Sequence, residues 1–227
     1  MIDSGYIERN YNALLAEIKA AAGGRKIDLV AVTKSGSDEE LLALAALGVT
    51  DIGENRPQEL KRRGELLAAA GFSPRLHQIG SLQKGNVKYI IDGVAMIHSV
   101  DSLALAEKIS RLATERGRVI PVLVEINSAR EEQKGGIMPE DAEDFTASLK
   151  GLPGISPVGI MTMGPRVGDG EDLRPYFRET RGLFDRLFAL GRFDGEPILS
   201  MGMSASFRVA IEEGATLVRV GTRLFEK

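Results

Sequence analysis

Residues 27–53 read IDLVAVTKSGSDEELLALAALGVTDIG, and this stretch holds one complete repeat of the fold. The run from Ile27 to Thr33 is short, apolar and β-branched, as expected of a strand covered on both faces. Ser37 or Asp38 then opens a helical pattern that runs to Leu47, and Gly48 closes it. The second strand, VTDIG, follows at once from Val49. Strand, crossover helix and strand in so short a span form the unit of a parallel sheet.

The same alternation runs through the rest of the chain, after an opening amphipathic helix. Further strands are expected at RLHQIG from Arg75, AMIHSV from Ala95, VIPVLVEIN from Val119, ISPVGIMTM from Ile155, PILSMGM from Pro197 and LVRVG from Leu217, eight in all. Between them lie helical spacings such as Ser102 to Arg116, and Gly71, Gly117, Gly151, Gly191 and Gly214 close helices as Gly48 does. Eight units of roughly 25 residues suit a compact (β/α)8 TIM barrel with an additional N-terminal helix, one domain spanning residues 1–227. An open doubly wound sheet is the structural alternative.

Composition narrows the function. The net charge of −3 comes from interspersed acids and bases, so no basic face points to nucleic acid or to an anionic membrane. The absence of cysteine removes disulfides and thiolate chemistry and, with only two histidines, argues against a transition-metal site. The first twenty residues carry acids and an amphipathic pattern in place of a signal peptide, and no apolar run approaches a membrane span. We therefore expect a cytoplasmic protein with a small-molecule ligand.

Polar residues gather where the strands end: Lys34, Glu54 and Asn55, Ser99, Asn127, Thr162, Ser204 and Thr222. Barrels of this class place their sites at that end. The last two strands run into Ser200-Met-Gly-Met-Ser204 and Arg219-Val-Gly-Thr222, where glycines and hydroxyls suit a phosphate. Ser204 equally suits a plain N-cap for a helix beginning near Ala205. Lys34 closes an apolar strand, and partial desolvation there favours the neutral, nucleophilic amine. A solvated strand-end lysine fits the same position. The run Lys61-Arg62-Arg63 reads as a solvated helix face, and the Met161, Met163, Met201 and Met203 set reads first as barrel packing, Met203 also bordering the phosphate loop. His98 reads as structural, inside a strand. Arg130 to Glu132 and Arg166 to Glu171 are expected in loops on the ligand side, as a lid or a partner surface.

These blocks also carry a resemblance. AVTK at 31–34, GENRPQE at 53–59, HQIGSLQ at 77–83, IHSVDS at 97–102, VEIN at 124–127 with Lys134 and Gly135 after it, GIMTMGP at 159–165, LSMGMS at 199–204 and VRVGT at 218–222 stand in order along nearly the whole chain. In that order they resemble the pyridoxal phosphate homeostasis protein family (YggS/PROSC), related to the amino-terminal barrel of alanine racemase. The resemblance implies a fold-type III barrel with pyridoxal 5'-phosphate as a Schiff base on Lys34. It further implies that Ser204, Gly221 and Thr222 hold the phosphate, that Arg219 faces the pyridine nitrogen, and that Asn55 and His77 line the pocket.

Proteins of that family are regarded as regulators or carriers of the cofactor, and the chemistry agrees. An arginine is donor-only and keeps the pyridine nitrogen unprotonated, which weakens the ring as an electron sink. Alanine racemase also draws a tyrosine from a second domain. We expect none here, because the sequence ends five residues after Thr222 and Tyr6, Tyr11, Tyr89 and Tyr176 all fall in helical segments.

Two departures stand out. Gln83-Lys84-Gly85-Asn86 replaces the family's x-N-K pattern after LQ, and Ser206 replaces an aspartate, leaving a serine to cap the following helix. The expected function is buffering or delivery of the cofactor by a monomer, with apo-enzymes as partners. The rivals are a racemase or amino-acid decarboxylase of the same fold, and a Schiff-base aldolase whose phosphate site grips a sugar phosphate.

Overall fold

The computed structural model describes residues 5–131, 133–165 and 169–227. Eight parallel strands close on themselves in chain order: β1 (Asp28–Val32), β2 (Asp51–Glu54), β3 (Arg75–Gln78), β4 (Val94–Val100), β5 (Ile120–Glu125), β6 (Ile155–Met161), β7 (Ile198–Ser200) and β8 (Leu217–Val220). β8 pairs back onto β1 from Asp28 beside Leu217 to Ala31 beside Val220, so the sheet is a barrel and not an open doubly wound sheet.

Helix α1 (Gly5–Ala22) precedes the barrel, and α2 (Asp38–Ala46), α3 (Pro57–Ala69), α4 (Leu103–Thr114), α5 (Ala142–Ser148), α6 (Arg174–Ala189) and α7 (Phe207–Glu212) follow their strands. After β3 a 3-10 segment, Lys84–Tyr89, takes the place of a crossover α-helix. No helix among the described residues is long and apolar enough to cross a membrane.

Local chemistry explains the boundaries. Ser37 caps α2 with a reciprocal box: its hydroxyl accepts from Glu40 N at 3.2 Å, and Glu40 Oε2 accepts from Ser37 N at 2.7 Å. Gly48, at φ +84°, takes the left-handed turn that ends α2 at little steric cost. Pro57 sits in the first turn of α3, where its missing N–H is no loss.

The apolar residues divide between two places. Most fill the shell between the sheet and the helices, where Ile52, Leu60, Ile97 and Leu105 are fully enclosed. Others fill the barrel itself, in one group of Val30, Val32, Ile79 and Leu217 and another of Met96, Leu123 and Met161. Burial on both faces is why the strands read as nearly unbroken apolar runs. Helix α1 is tied to the carboxyl end of the chain: Asn10 Nδ2 donates to the Glu226 carbonyl at 2.7 Å, and Glu17 pairs with Arg208 and Arg223, each at 2.6 Å.

One sequence expectation fails here. Lys61 and Arg62 lie on the solvated face of α3, but Arg63 is buried at 6 % exposure. Helical spacing puts it on the inner face with Leu60 and Leu67, and its guanidinium pairs with the buried Glu54 at 2.9 Å.

Candidate functional site

A cavity of about 750 Å³ opens at the carboxyl ends of the strands. Of the residues expected to bind the cofactor, Lys34 after β1, Asn55 after β2 and Met203 after β7 line it, joined by Asn127 from the strand-end set. Ser204, Arg219, Gly221, Thr222 and His77 are not in its lining among the described residues. Tyr6, Tyr11, Tyr89 and Tyr176 are not there either.

The loop that presents Lys34 is held from beneath. Arg63 reaches up from α3 and donates to the carbonyls of Thr33 and Gly36, the latter at 2.8 Å, so the two ends of the Lys34 turn share one guanidinium. Glu54 completes the anchor by accepting from Arg63 at 2.9 Å and from the Thr33 hydroxyl at 2.5 Å. Burial pushes the Glu54 carboxyl up, while Thr33 and Arg63 draw it down. The Lys34 side chain itself is exposed, where partial desolvation was expected, because the chain leaves the barrel at the fully buried Thr33. Asn55 is fixed in a similar way: Gln78 Nε2 donates to its carbonyl at 2.9 Å, and Gly80 packs so close that a Cβ there would sit 2.6 Å from that oxygen.

The two candidate phosphate loops meet. Gly221 N donates to Ser204 Oγ at 3.3 Å, joining the segment after β7 to the end of β8. Gly202 adopts φ +93°, and a Cβ on it would lie 2.5 Å from that of Ala210; one on Gly221 would lie 2.8 Å from the Val32 carbonyl. Both backbones are therefore packed closer than a side chain permits. Helix α7 begins at Phe207, so Ser204 is not its N-cap. Ser206 holds that position without capping the helix; its hydroxyl turns back to accept from Met203 N at 3.2 Å and closes the 203–206 turn. The methionines divide accordingly: Met161 and Met201 are buried, while Met163 and Met203 line the cavity.

Arg219 and His77 belong to a polar chain inside the barrel. Arg219 Nη1 donates to Ser200 Oγ at 2.5 Å and Nη2 to the Thr162 carbonyl at 3.0 Å. Ser200 Oγ lies 3.3 Å from His98 Nδ1, His98 Nε2 lies 2.9 Å from His77 Nδ1, and His77 Nε2 lies 2.7 Å from Asp51 Oδ1. All five residues are buried. Burial lowers Arg219 to about 10, with Glu125 opposing, so it stays a cation at neutral pH. Burial pushes Asp51 up, but hydrogen bonds from His77, Arg75 and Thr50 hold it down at about 2.

Glu125, at the end of β5, was not singled out by residue type. It lines the cavity at 7 % exposure, and its carboxyl makes no hydrogen bond with the described residues. Burial and the neighbouring Asp101 charge push it up to about 7, against the pull of Arg219. The signal in sequence was its place in VEIN, one residue past an apolar strand run. Lys134 also lines the cavity, its Nζ 2.7 Å from Glu131 Oε1. Of the loops expected on the ligand side, Asp169 and Gly170 border the cavity, and Arg130 pairs with Glu179 at 2.6 Å; Glu132 and Arg166 to Gly168 lie outside the described residues.

The family model for the alanine racemase N-terminal domain matches residues 2–226. The pyridoxal phosphate homeostasis protein of Aquifex aeolicus is 40% identical over 212 residues, 91% of this chain and 90% of that one. This chain belongs to the pyridoxal phosphate homeostasis protein family. A solved structure similar to it is that of PipY from Synechococcus elongatus with PLP bound, at a TM-score of 0.85 and 28% identity, covering 97% of this chain and 100% of that one. An alanine racemase from Clostridium difficile shares the fold at a TM-score of 0.78 and 20% identity; the match covers 98% of this chain and 56% of the racemase. This chain thus has the racemase-type barrel, and its own ordered blocks lie at the strand ends described above.

Proposed function

We propose that this chain binds pyridoxal 5'-phosphate through a Schiff base to Lys34 and buffers it or hands it to apo-enzymes, without robust catalysis of its own. The reading takes residues 1–227 as one cofactor-binding unit, a cytoplasmic monomer. The observation that carries it is the meeting of Lys34 and the Met203–Ser206 turn in one cavity at the strand ends, where barrels of this class hold their ligands.

In this reading the group is held as follows. Lys34 offers a primary amine for the aldehyde, at a turn whose backbone Arg63 fixes. Ser204 and Thr222 would offer hydroxyls to the phosphate from the joined loops after β7 and β8, and Gly202 and Gly221 let those loops pack tightly against Ala210 and Val32. Asn55 and Met203 would border the ring, and Arg219 would face its nitrogen. When bound, the cofactor supplies an electron sink. A permanently charged donor beside the nitrogen weakens that sink, which favours holding over turnover. In this reading His77 acts on the cofactor only through Arg219.

Loading is tested by visible absorbance: the purified protein incubated with the cofactor should gain the band of a protein Schiff base, and Lys34→Ala should lack it. A protein that stays colourless overturns the reading. Delivery is tested by adding loaded protein to an apo-enzyme, whose activity should recover in proportion to the carrier added; no recovery above free cofactor removes the delivery role.

One observation favours a second reading, a racemase or amino-acid decarboxylase. Glu125 is a buried, unpartnered acid in the cavity with its titration near neutral pH, as a proton-transfer group would be. Multiple turnovers of any D- or L-amino acid would establish that reading; we expect none above free cofactor.

A further inference from the structure

The interior of a barrel of this class is ordinarily filled by branched apolar side chains. Here one line of it is polar. Asp51, His77, His98, Ser200 and Arg219 come from β2, β3, β4, β7 and β8 and touch in sequence, from the amino-terminal end of β2 to the guanidinium. Beyond Asp51 the line reaches the outside, because Asp51 also pairs at 2.8 Å with Arg75, whose side chain is 61% exposed.

Donor counting gives the line a direction. Arginine has no acceptor, so Ser200 Oγ accepts from Arg219 Nη1. The serine proton finds its acceptor at His98 Nδ1, the nitrogen facing it, when that nitrogen carries no proton. Burial, chiefly, keeps the fully enclosed His98 neutral, and His77 and then Arg219 add to the effect. Its single proton is therefore on Nε2 and is given to His77 Nδ1. His77 Nε2 faces the anionic Asp51 and donates to it. Every link has one donor and one acceptor, and the assignment uses each hydrogen once. Reversing His77 alone would set two N–H groups against each other and a bare nitrogen against Asp51, and reversing His98 alone would set two bare nitrogens face to face.

We propose that Asp51, His77, His98 and Ser200 form a directional positioning line for Arg219, so that a carboxylate at the opposite mouth of the barrel controls the electronic state of the ring held beside that arginine. The proposal rests on the reading that Arg219 faces the cofactor. Asp51 anchors one end by its charge, the two imidazoles carry the polarity across the interior, and Ser200 fixes the guanidinium. None of the four needs to touch the ligand.

The test compares visible spectra and cofactor release for loaded wild type, Asp51→Asn, Ser200→Ala and Ser200→Thr. The line predicts a shifted band in D51N and S200A, release about tenfold faster as for loss of one hydrogen bond to a charged group, and recovery of both in S200T, which keeps the hydroxyl. If wild type fails to load, the cofactor reading falls. If wild type loads and D51N and S200A match it in spectrum and release, the positioning line falls. Should those variants not fold, 15N spectra of the wild-type histidines decide: both neutral and protonated on Nε2 supports the line, and a proton on Nδ1 of His98 overturns it.

Discussion

At Glu125 the competition is between burial and charge. The carboxyl has no hydrogen bond among the described residues to offset its desolvation, and burial with the nearby Asp101 outweighs the attraction of Arg219, so its titration rises from 4.5 to about 7. A carboxyl that holds its proton more tightly when folded stabilises the fold below its unfolded pKa, and that stabilisation is lost as the pH rises through the folded value. Across the window from 4.5 to about 7 the loss is on the order of 3 kcal/mol, at about 1.4 kcal/mol per unit. Glu125→Gln removes the titration. The denaturant stability of wild type, measured against that variant, should therefore fall steadily through this window and level off above it; parallel curves would show that the carboxyl is solvated or paired.

At the scale of the element, α3 is the part that holds the site together. Its Arg63 binds both carbonyl ends of the Lys34 turn and pairs with Glu54 inside the protein. Removing one member leaves the other charge buried and unpaired, so Arg63→Ala should cost about 3–5 kcal/mol in chemical denaturation. It should also slow Schiff-base formation, because the turn loses its anchor. Replacing both, as Arg63→Met with Glu54→Gln, should recover much of the stability but not the rate. Equal rates in all three proteins would mean that the turn is held by something else. Helix α2 answers on a smaller scale: Ser37→Ala, which opens the capping box, should cost about 1 kcal/mol. The sequence narrowed that cap to Ser37 or Asp38, because a cap lies next to the helix it opens. It did not signal Arg63, because a Lys-Arg-Arg run looks uniformly solvated until the inner face of the helix is known.

For the molecule as a whole, legibility followed distance along the chain. Each strand was readable from its own few residues, since covered parallel strands are apolar throughout, but their order also suited an open doubly wound sheet until the β8–β1 pairing closed the barrel. Lys34, Asn55 and Met203 were readable as site candidates because strand ends are local features. The polar line was not, because residues 51, 77, 98, 200 and 219 become neighbours only when the barrel closes. Taken separately, His77 suits a pocket and His98 a structural role; together they are a pair. Glu125 escaped notice for a related reason, since only the folded barrel removes every partner from a carboxylate that sequence would let point to water.

The account's central claim is that Lys34 is where the cofactor is held. The most direct measurement is to load the protein with pyridoxal 5'-phosphate, reduce it with borohydride, digest it and locate the phosphopyridoxyl group by mass spectrometry. The account predicts one adduct, on the peptide containing Lys34, that disappears in Lys34→Ala. An adduct confined to another lysine, such as Lys134, or an unmodified wild-type protein, would contradict it.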